Sequence, residues 1–202
     1  MLILASGSPR RRQLLDLLGV RYRVEAAGID ESLVPGETPA EAVLRLARSK
    51  GLAVSDANPG RWVLSADTVV ALDGRILGKP ADEQEAIQML ASLSGNSHTV
   101  HTGVALCRSG EPAPAMHSTT VVRFRQLESV EIAAYVATGE PFGKAGAYAI
   151  QGLGGSLVDK IEGELSTVVG LTLSTTAQML SGAGIRHRLS ASMDRRTNSK
   201  TE

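Results

Sequence analysis

Trp62-Val63-Leu64-Ser65-Ala66-Asp67-Thr68-Val69-Val70-Ala71-Leu72 is the strongest strand pattern in this sequence. The run is almost entirely apolar, which is typical of a strand buried in a parallel or mixed sheet. Asp73-Gly74 follows it, and this pair predicts a tight hairpin to a second strand over residues 75–77. The chain is therefore predicted to fold around a buried strand that has a short hairpin partner.

Segments with strand and helix patterns alternate on both sides of this hairpin. The predicted strands cover residues 2–5, 22–26, 98–108, 118–126 and 157–161. Apolar residues at helical spacing predict helices over residues 9–18, 82–93, 128–136 and 171–180, and a long helix that begins near residues 38–39 and ends before Asn58. This alternation predicts the α/β class, with a parallel or mixed sheet and helices on its faces.

The composition agrees with one α/β domain, which can have two lobes. The chain has 202 residues, of which 43% are hydrophobic but only 3% aromatic, so we expect a core of aliphatic side chains. The C-terminal residues lack apolar periodicity. We therefore expect a single domain over residues 1–185 and a disordered polar tail over residues 186–202.

Charge and cysteine content limit the classes of function. The formal net charge is zero, which argues against broad nucleic-acid binding. The apolar run at residues 1–5 is too short for a signal peptide or a membrane span. Cys107 is the only cysteine, so an internal disulfide is excluded and a reducing compartment is favoured. We expect a cytoplasmic protein with neither a membrane nor a nucleic-acid partner.

The turn after the first predicted strand is the first candidate site. Ser8 is a favourable N-cap, and Pro9 suits the first helical position. Arg10, Arg11 and Arg12 follow directly, although cations oppose the helix dipole at this end. A bound polyphosphate removes that conflict, because guanidinium groups and free helix amides both bind phosphate oxygens. A capped surface helix with solvated arginines explains the same residues.

Asp67, in the middle of the apolar strand, is the second candidate site. A buried carboxylate is costly without a partner, and the candidate partners are Lys50, Lys79 and a divalent metal. A structural aspartate held by backbone amides or by a salt bridge is the alternative. Glu31 lies in a polar loop, where a glutamate usually faces solvent. If the fold brings Glu31 near Asp67, the two carboxylates can hold Mg²⁺ or Mn²⁺ against a triphosphate.

The third candidate site is Lys144-Ala145-Gly146-Ala147-Tyr148-Ala149-Ile150-Gln151-Gly152. Its small residues allow a ligand to approach the backbone closely. The amide of Gln151 carries a donor and an acceptor, which match N3 and O4 of uracil or thymine. A flipped amide also matches cytosine, so Gln151 selects the base only if a neighbour fixes its orientation. A glycine-rich structural turn is the alternative.

The histidines and the cysteine predict no further site. His98, His101, His117 and His187 show no metal-ligand spacing. Cys107 has no basic neighbour that would activate its thiol. Neither residue type supports nucleophilic catalysis.

Taken together, six stretches of the sequence resemble the Maf family of nucleoside triphosphate pyrophosphatases. They are Leu4-Ala5-Ser6-Gly7-Ser8-Pro9-Arg10-Arg11, Gly28-Ile29-Asp30-Glu31, Leu46-Ala47-Arg48-Ser49-Lys50, Ser65-Ala66-Asp67-Thr68-Val69-Val70, Gly78-Lys79-Pro80 and residues 144–155. They follow the family's order and extend over about residues 2–182. The resemblance implies a mixed twisted sheet flanked by helices, in two lobes with a central cleft (a Maf/ITPase-like fold). It also implies a divalent metal, Mg²⁺ or Mn²⁺, and often a homodimer.

The resemblance also assigns roles within the cleft. It implies that Asp67 is the general base for the attacking water and that Glu31 and Asp67 bind the metal. The residues implied to hold the phosphates are Ser8, Arg11, Lys50 and Lys79. The form of residues 145–152 is similar to that of the dTTP/UTP branch, in which Arg10, Thr68 and Gln151 match the positions tied to substrate choice. The implied reaction is hydrolysis of dTTP and UTP to the monophosphate and pyrophosphate.

Two positions depart from this branch. Gly143 stands where the branch usually has Asp, which removes a carboxylate near the cleft. Thr172 stands where Pro usually follows Val-Gly-Leu, a change expected only to soften a helix start. Two alternatives to the dTTP/UTP activity are a pyrophosphatase for 7-methyl-GTP or modified nucleotides and a nucleotide-binding regulator of cell division or septum formation.

Overall fold

The computed structural model describes residues 1–190 and contains a seven-stranded sheet with helices packed on it. The strands are β1 (Leu2–Leu4), β2 (Tyr22–Val24), β3 (Val63–Leu72), β4 (Arg75–Leu77), β5 (Ser97–Cys107), β6 (Ala115–Phe124) and β7 (Val158–Glu162). The helices are α1 (Pro9–Leu17), α2 (Pro39–Asp56), α3 (Glu83–Leu93), α4 (Ser129–Ala137), α5 (Leu165–Val169) and α6 (Leu173–Gly182). Short 3-10 turns cover Ala145–Ala147 and Leu153–Leu157.

The sheet is mixed, as the sequence predicted. The strand order is β2-β1-β3-β5-β6-β7, and β4 pairs with β3 outside this path. β1 is parallel to both β2 and β3, whereas the other pairs are antiparallel. The long strands β3, β5 and β6 form the centre, and the helices cover them.

One edge of β3 is left open along the middle of the strand. β1 pairs with β3 only at Val63 and Leu64. β4 pairs with it only from Val70 to Leu72. Between these two contacts no described strand lies beside residues 65–69 on this edge. The candidate residues Asp67 and Thr68 lie within this open stretch.

Glycine allows α2 to lie directly on the sheet beside Asp67. Asp67 is opposite Gly103 in the β3–β5 register. A Cβ atom on Gly103 would lie 2.3 Å from the carbonyl oxygen of Val43 in α2. A Cβ atom on Gly51, also in α2, would lie 2.4 Å from Sγ of Cys107. Because these contacts leave no space for a side chain, the backbone of α2 approaches β3 and β5 closely.

Two large hydrophobic clusters divide the core along β3. The first packs α3 and α4 against the sheet and includes Val70. The second packs α1 and α6 against the sheet and includes Leu64 and Ala66. Thr68 lies between Ala66 and Val70 on the face where the two clusters meet, whereas the side chain of Asp67 points to the opposite face and contacts Lys50 of α2.

The structure differs from the sequence prediction mainly at two places. The prediction missed α5, which has only 5 residues and includes Thr167 and Val168, whose β-branched side chains are weak helix formers. Near the C-terminus, the backbone N–H of Arg188 donates to the carbonyl of Leu18 at 2.8 Å. Residues 186–190 therefore pack on the folded body, beyond the predicted boundary at 185. The rest of the predicted tail, residues 191–202, lies outside the described residues.

No helix within residues 1–190 has the length and hydropathy that crossing a membrane requires.

We expect Gly103→Ala to destabilise the fold, because the new methyl group would collide with the backbone of α2. Overpacking of this kind costs about 1–3 kcal/mol of the free energy of unfolding, measurable by urea denaturation. Gly182→Ala is the matched control, since a Cβ atom there meets nothing within 4 Å and alanine favours a helix. Equal stability of the two variants would show that α2 can move away from the sheet freely.

Candidate active site

A cavity of about 470 Å³ lies at the open edge of β3. Its walls come from the turn after β1, the middle of β3, the segment after β4, and residues 143–145 and 168–170. Most of the predicted site residues line it: Ser8, Arg10, Arg11, Glu31, Lys50, Asp67, Thr68 and Lys79. Gln151 is exposed and is not among the lining residues, although its neighbour Ile150 is.

A buried ammonium group joins the two predicted carboxylates. Nζ of Lys50, from α2, lies 2.6 Å from Oδ1 of Asp67 and 2.9 Å from Oε1 of Glu31. The side chains of Lys50 and Asp67 are only 8% and 9% exposed, so neither charge is well solvated. Each therefore depends on the other. Of the three partners that the sequence left open for Asp67, the described structure places Lys50 against it.

Glu31 connects this buried pair to the mouth of the cavity. Its side chain is 43% exposed, and its Oε2 lies 3.8 Å from Nζ of Lys79, whose side chain is 63% exposed. Partial burial acts to raise the pKa of Glu31, but the hydrogen bond and charge of Lys50 and the charge of Lys79 outweigh it and lower the pKa. The fold thus brings Glu31 to Asp67, which was the condition for a shared role.

Arg11 connects three separate parts of the cavity wall. Its Nε donates to the carbonyl of Gly170 at 2.7 Å, and its Nη1 donates to Oγ of Ser6 at 3.2 Å. Its Nη2 donates to Oγ1 of Thr68 at 3.3 Å. Ser8 caps α1 by accepting from the backbone N–H of Arg11. Arg11 thus lines the cavity and also holds its wall together. The sequence did not indicate this second, structural role.

Two further cations line the cavity near the start of α1. Neither Arg10 nor Lys144 forms an ion pair with any residue in the described range. Partial burial lowers the pKa of Arg10, and the charge of Glu140 opposes that shift. Partial burial also lowers the pKa of Lys144, with a further contribution from Arg10. The charge of Glu140 opposes the shift in Lys144 as well. Partly buried cations held by no direct ion pair form a site suited to an anion.

A carboxylate anchors the loop that carries Gln151. Oε1 of Glu140 accepts from the hydroxyl of Tyr135 and from the N–H of Gly154, both at 2.9 Å. Its Oε2 accepts from the N–H of Leu153 at 3.0 Å. The hydroxyl of Tyr135 in turn accepts from the N–H of Ala149 at 3.2 Å. These bonds hold both ends of residues 149–154, but none of them fixes the amide of Gln151.

Similarity to known proteins identifies the family of this chain. The model of the family described as Maf-like protein matches residues 1–183. The chain belongs to the Maf family. A relative from Myxococcus xanthus, named dTTP/UTP pyrophosphatase, is 51% identical over 92% of this chain and 93% of its own length. A relative from Halalkalibacterium halodurans with the same name is 51% identical over 93% of this chain and 98% of its own length.

Solved structures are more distant. A dITP/XTP pyrophosphatase from Mycobacterium abscessus is 16% identical, covers 91% of this chain and 96% of its own chain, and has a TM-score of 0.43. A Ham1 protein from Staphylococcus aureus is 15% identical, covers 61% of this chain and 71% of its own, and has a TM-score of 0.41.

The structure shows the surroundings of Gly143 and Thr172, the two residues that depart from the Maf pattern. Gly143 has φ +72° and lines the cavity, and a Cβ atom there would meet nothing within 4 Å. Space therefore does not require glycine at this position. Thr172 is buried, and its hydroxyl bonds to that of Thr167 at 3.0 Å. The start of α6 is capped by other residues, because the N–H of Leu173 donates to Oγ of Ser166 at 2.9 Å.

We expect Arg11→Lys to destabilise the protein, because an ammonium group cannot reach Gly170, Ser6 and Thr68 together. Loss of hydrogen bonds from a charged group costs about 1.5–3 kcal/mol, measurable by calorimetric unfolding. Arg12→Lys is the matched control, since Arg12 is the next residue in α1 and its side chain is exposed. A melting temperature for Arg11→Lys that equals the control would show that these contacts do not hold the wall together.

Proposed function

We propose that this chain is a nucleoside triphosphate pyrophosphatase that acts on dTTP and UTP and releases the nucleoside monophosphate and pyrophosphate. The relatives cited above carry that name at 51% identity over most of their length. The observation that carries the proposal is the Lys50–Asp67–Glu31 cluster inside a cavity whose other charged lining residues are all cations. A base among phosphate-binding cations is suited to hydrolysis of a polyphosphate.

Asp67 is the proposed general base. Water attacks the α-phosphorus of the nucleotide, the bond between that phosphorus and the bridging oxygen to the β-phosphate breaks, and pyrophosphate leaves. Oδ1 of Asp67 is engaged by Lys50, which leaves Oδ2 to accept the proton from the water. The hydrogen bond from Lys50 also orients the carboxylate, so the base is positioned before substrate binds.

The phosphates are proposed to bind along the cationic wall. The N-terminus of α1 and the hydroxyl of Ser8 lie beside Arg10 and Arg11. Lys50 and Lys79 line the same cavity. A triphosphate there would counter the repulsion between cations and the N-terminal dipole of α1. Thr68, which accepts from Arg11, is proposed to position that guanidinium against the substrate.

The residues present fit a divalent metal that is shared with the substrate. Oδ1 of Asp67 and Oε1 of Glu31 both contact Nζ of Lys50, which brings the two carboxylates close together in the cavity. Mg²⁺ in proteins commonly takes one or two carboxylates and completes its shell with phosphate oxygens and water. We propose that Asp67 and Glu31 hold Mg²⁺ or Mn²⁺, which would neutralise charge on the phosphates. The protein's own side chains would bind the phosphates and accept the proton from the attacking water.

The nucleobase is proposed to bind at the end of the cavity formed by residues 143–150. Ile150 contributes apolar surface there, and Gln151 is the next residue. Because the amide of Gln151 lies outside the lining, its role as a base reader requires its side chain to turn inward when the nucleotide binds. Glu140 and Tyr135 support this proposal, since they hold the loop at both ends while leaving that amide unrestrained.

We also propose a cytoplasmic location and a homodimeric assembly, without nucleic-acid or membrane partners. Cys107 is buried, and burial raises the pKa of its thiol to about 11. A thiol of this kind is inert, which agrees with a reducing compartment and with a structural role.

Asp67→Asn should lower kcat by about 10² or more, the scale expected for loss of a general base, while nucleotide binding is largely kept. Release of pyrophosphate from dTTP in the presence of Mg²⁺ measures kcat, and calorimetry measures binding. Asp73→Asn is the control, because Asp73 is exposed in the β3–β4 turn at φ 50°, a conformation that Asn tolerates. A turnover of Asp67→Asn within a few-fold of the control would remove Asp67 from the catalytic role.

Gln151→Ala should raise KM for dTTP and UTP together by about 5- to 150-fold, since a lost pair of neutral hydrogen bonds is worth about 1–3 kcal/mol. Kinetics with dTTP, UTP, CTP, GTP and 7-methyl-GTP test this, with Gln88→Ala, an exposed change on α3, as the control. Equal losses on every substrate would mean that Gln151 shapes the cavity without reading the base. A preference of the parent enzyme for GTP or 7-methyl-GTP would contradict the proposed substrate class.

A further inference from the structure

Two threonines lie side by side on β3 and β5, on the face of the sheet opposite to the side chain of Asp67. Thr68 and Thr102 are partners in the strand register, and their hydroxyl oxygens are 2.8 Å apart. Thr68 lines the cavity, whereas Thr102 is fully buried and is not among the lining residues. Any effect of Thr102 on the site must therefore act through Thr68.

The number of protons fixes the direction of the hydrogen bonds between these threonines. Oγ1 of Thr102 donates to the carbonyl of Thr167 at 2.7 Å. Because a hydroxyl has a single proton, Thr102 can only accept from Thr68. Oγ1 of Thr68 therefore donates to Thr102, and its lone pairs stay available to other donors. Nη2 of Arg11 donates to one of them at 3.3 Å.

These hydrogen bonds form part of a closed ring that contains Arg11. Arg11 and Thr102 both donate to backbone carbonyls in or next to α5, Arg11 to that of Gly170 at 2.7 Å and Thr102 to that of Thr167. One guanidinium and two hydroxyls thus join α1, β3, β5 and the α5 segment. Removal of the Thr102 hydroxyl would open this ring without removing any atom that lines the cavity.

The ring leaves part of the Arg11 guanidinium available to a ligand. Three of its five N–H groups donate to Gly170, Ser6 and Thr68 in the described structure. One N–H on each terminal nitrogen remains, which is the arrangement that binds two oxygens of one phosphate. The direction of those two N–H groups depends on the three bonds that hold the rest of the guanidinium.

We propose that Thr102 is a positioning residue of this enzyme, which keeps the Thr68 hydroxyl an acceptor and so holds the guanidinium of Arg11 in place for the phosphates. The inference rests on the proposed function, in which Arg11 binds the triphosphate. Without the Thr102 hydroxyl, the proton of Thr68 loses its partner and can turn toward Nη2 of Arg11. Two donors that face each other repel, so the guanidinium would lose one of its three anchors.

Calorimetric titration of the full chain with pyrophosphate and Mg²⁺ tests this role, because pyrophosphate offers phosphate groups without a nucleobase. Thr102→Val keeps the shape of the side chain and removes its hydroxyl. We expect this variant to bind pyrophosphate about 3- to 10-fold more weakly, the scale of one hydrogen bond, and to show a similar rise in KM for dTTP. kcat should change less, since Asp67 faces the other side of the sheet and keeps its contact with Lys50. Thr102→Ser restores the hydroxyl and should restore the affinity.

Thr120→Val is the matched control for a purely structural effect. Thr120 is also fully buried, and its Oγ1 donates to the carbonyl of Glu164, just before α5, at 3.0 Å. No hydrogen bond within residues 1–190 joins it to Thr68 or Arg11. Urea denaturation should show a similar loss of stability in both valine variants, whereas only Thr102→Val should lose affinity for pyrophosphate. An equal loss of affinity in both would overturn the inference.

A double-mutant cycle with Arg11→Lys tests whether Thr102 acts through the guanidinium. In the Arg11→Lys background, Thr102→Val should have little further effect on pyrophosphate affinity. Losses that simply add, a Thr102→Val variant with the parent's affinity, failure of Thr102→Ser to restore it, or a parent that binds no pyrophosphate would each overturn the inference. A parent that binds pyrophosphate but hydrolyses neither dTTP nor UTP would instead contradict the proposed function, so the two failures are distinguishable.

Discussion

The contact between Lys50 and Asp67 is the constraint on which the rest of the structure depends. Both charges are nearly removed from water, and such a pair is tolerable only when its geometry is close and both partners stay in place. Glycine at position 103 permits that closeness, because α2 lies against the backbone of β5 where Asp67 faces it. The packing of α2 on the sheet therefore determines where the carboxylate of Asp67 is held.

Another part of the cavity wall is held together by a different charged side chain, that of Arg11. Arg11 donates to Gly170, Ser6 and Thr68, which belong to segments far apart in the sequence. A guanidinium that is already hydrogen-bonded loses less conformational freedom when it meets a phosphate than a free side chain does. Lys144 has a single anchor of this kind, the carbonyl of Phe142 at 3.1 Å, so its ammonium group is held less firmly than the guanidinium of Arg11. The site thus combines a fixed cation with cations that can adjust.

Local sequence patterns predicted the helices and strands well, but they did not predict which side chains from different elements contact one another. Thr38, Asp82 and Ser8 cap helices as their residue types suggest, and the hairpin at Asp73-Gly74 forms as predicted. The choice of Lys50 as the partner of Asp67, and the meeting of His101 with His117, depend on packing and strand register. These contacts join residues separated by 16 or 17 positions, and no local rule of spacing encodes them. The family resemblance carries tertiary information of this kind: eight of the residues it named line one cavity, whereas Gln151 does not.

The open edge of β3 has a consequence for how cavities of this kind can diversify. Its length is set by where β1 stops pairing, at Leu64, and by where β4 ends, at Leu77 opposite Val70. Each further residue of β4 that paired with β3 beyond Val70 would shorten the open stretch by about 3.3 Å. The width of the entrance is therefore set by the pairing of β4 with β3, whereas the position of the Asp67 carboxylate is set by the packing of α2 on the sheet.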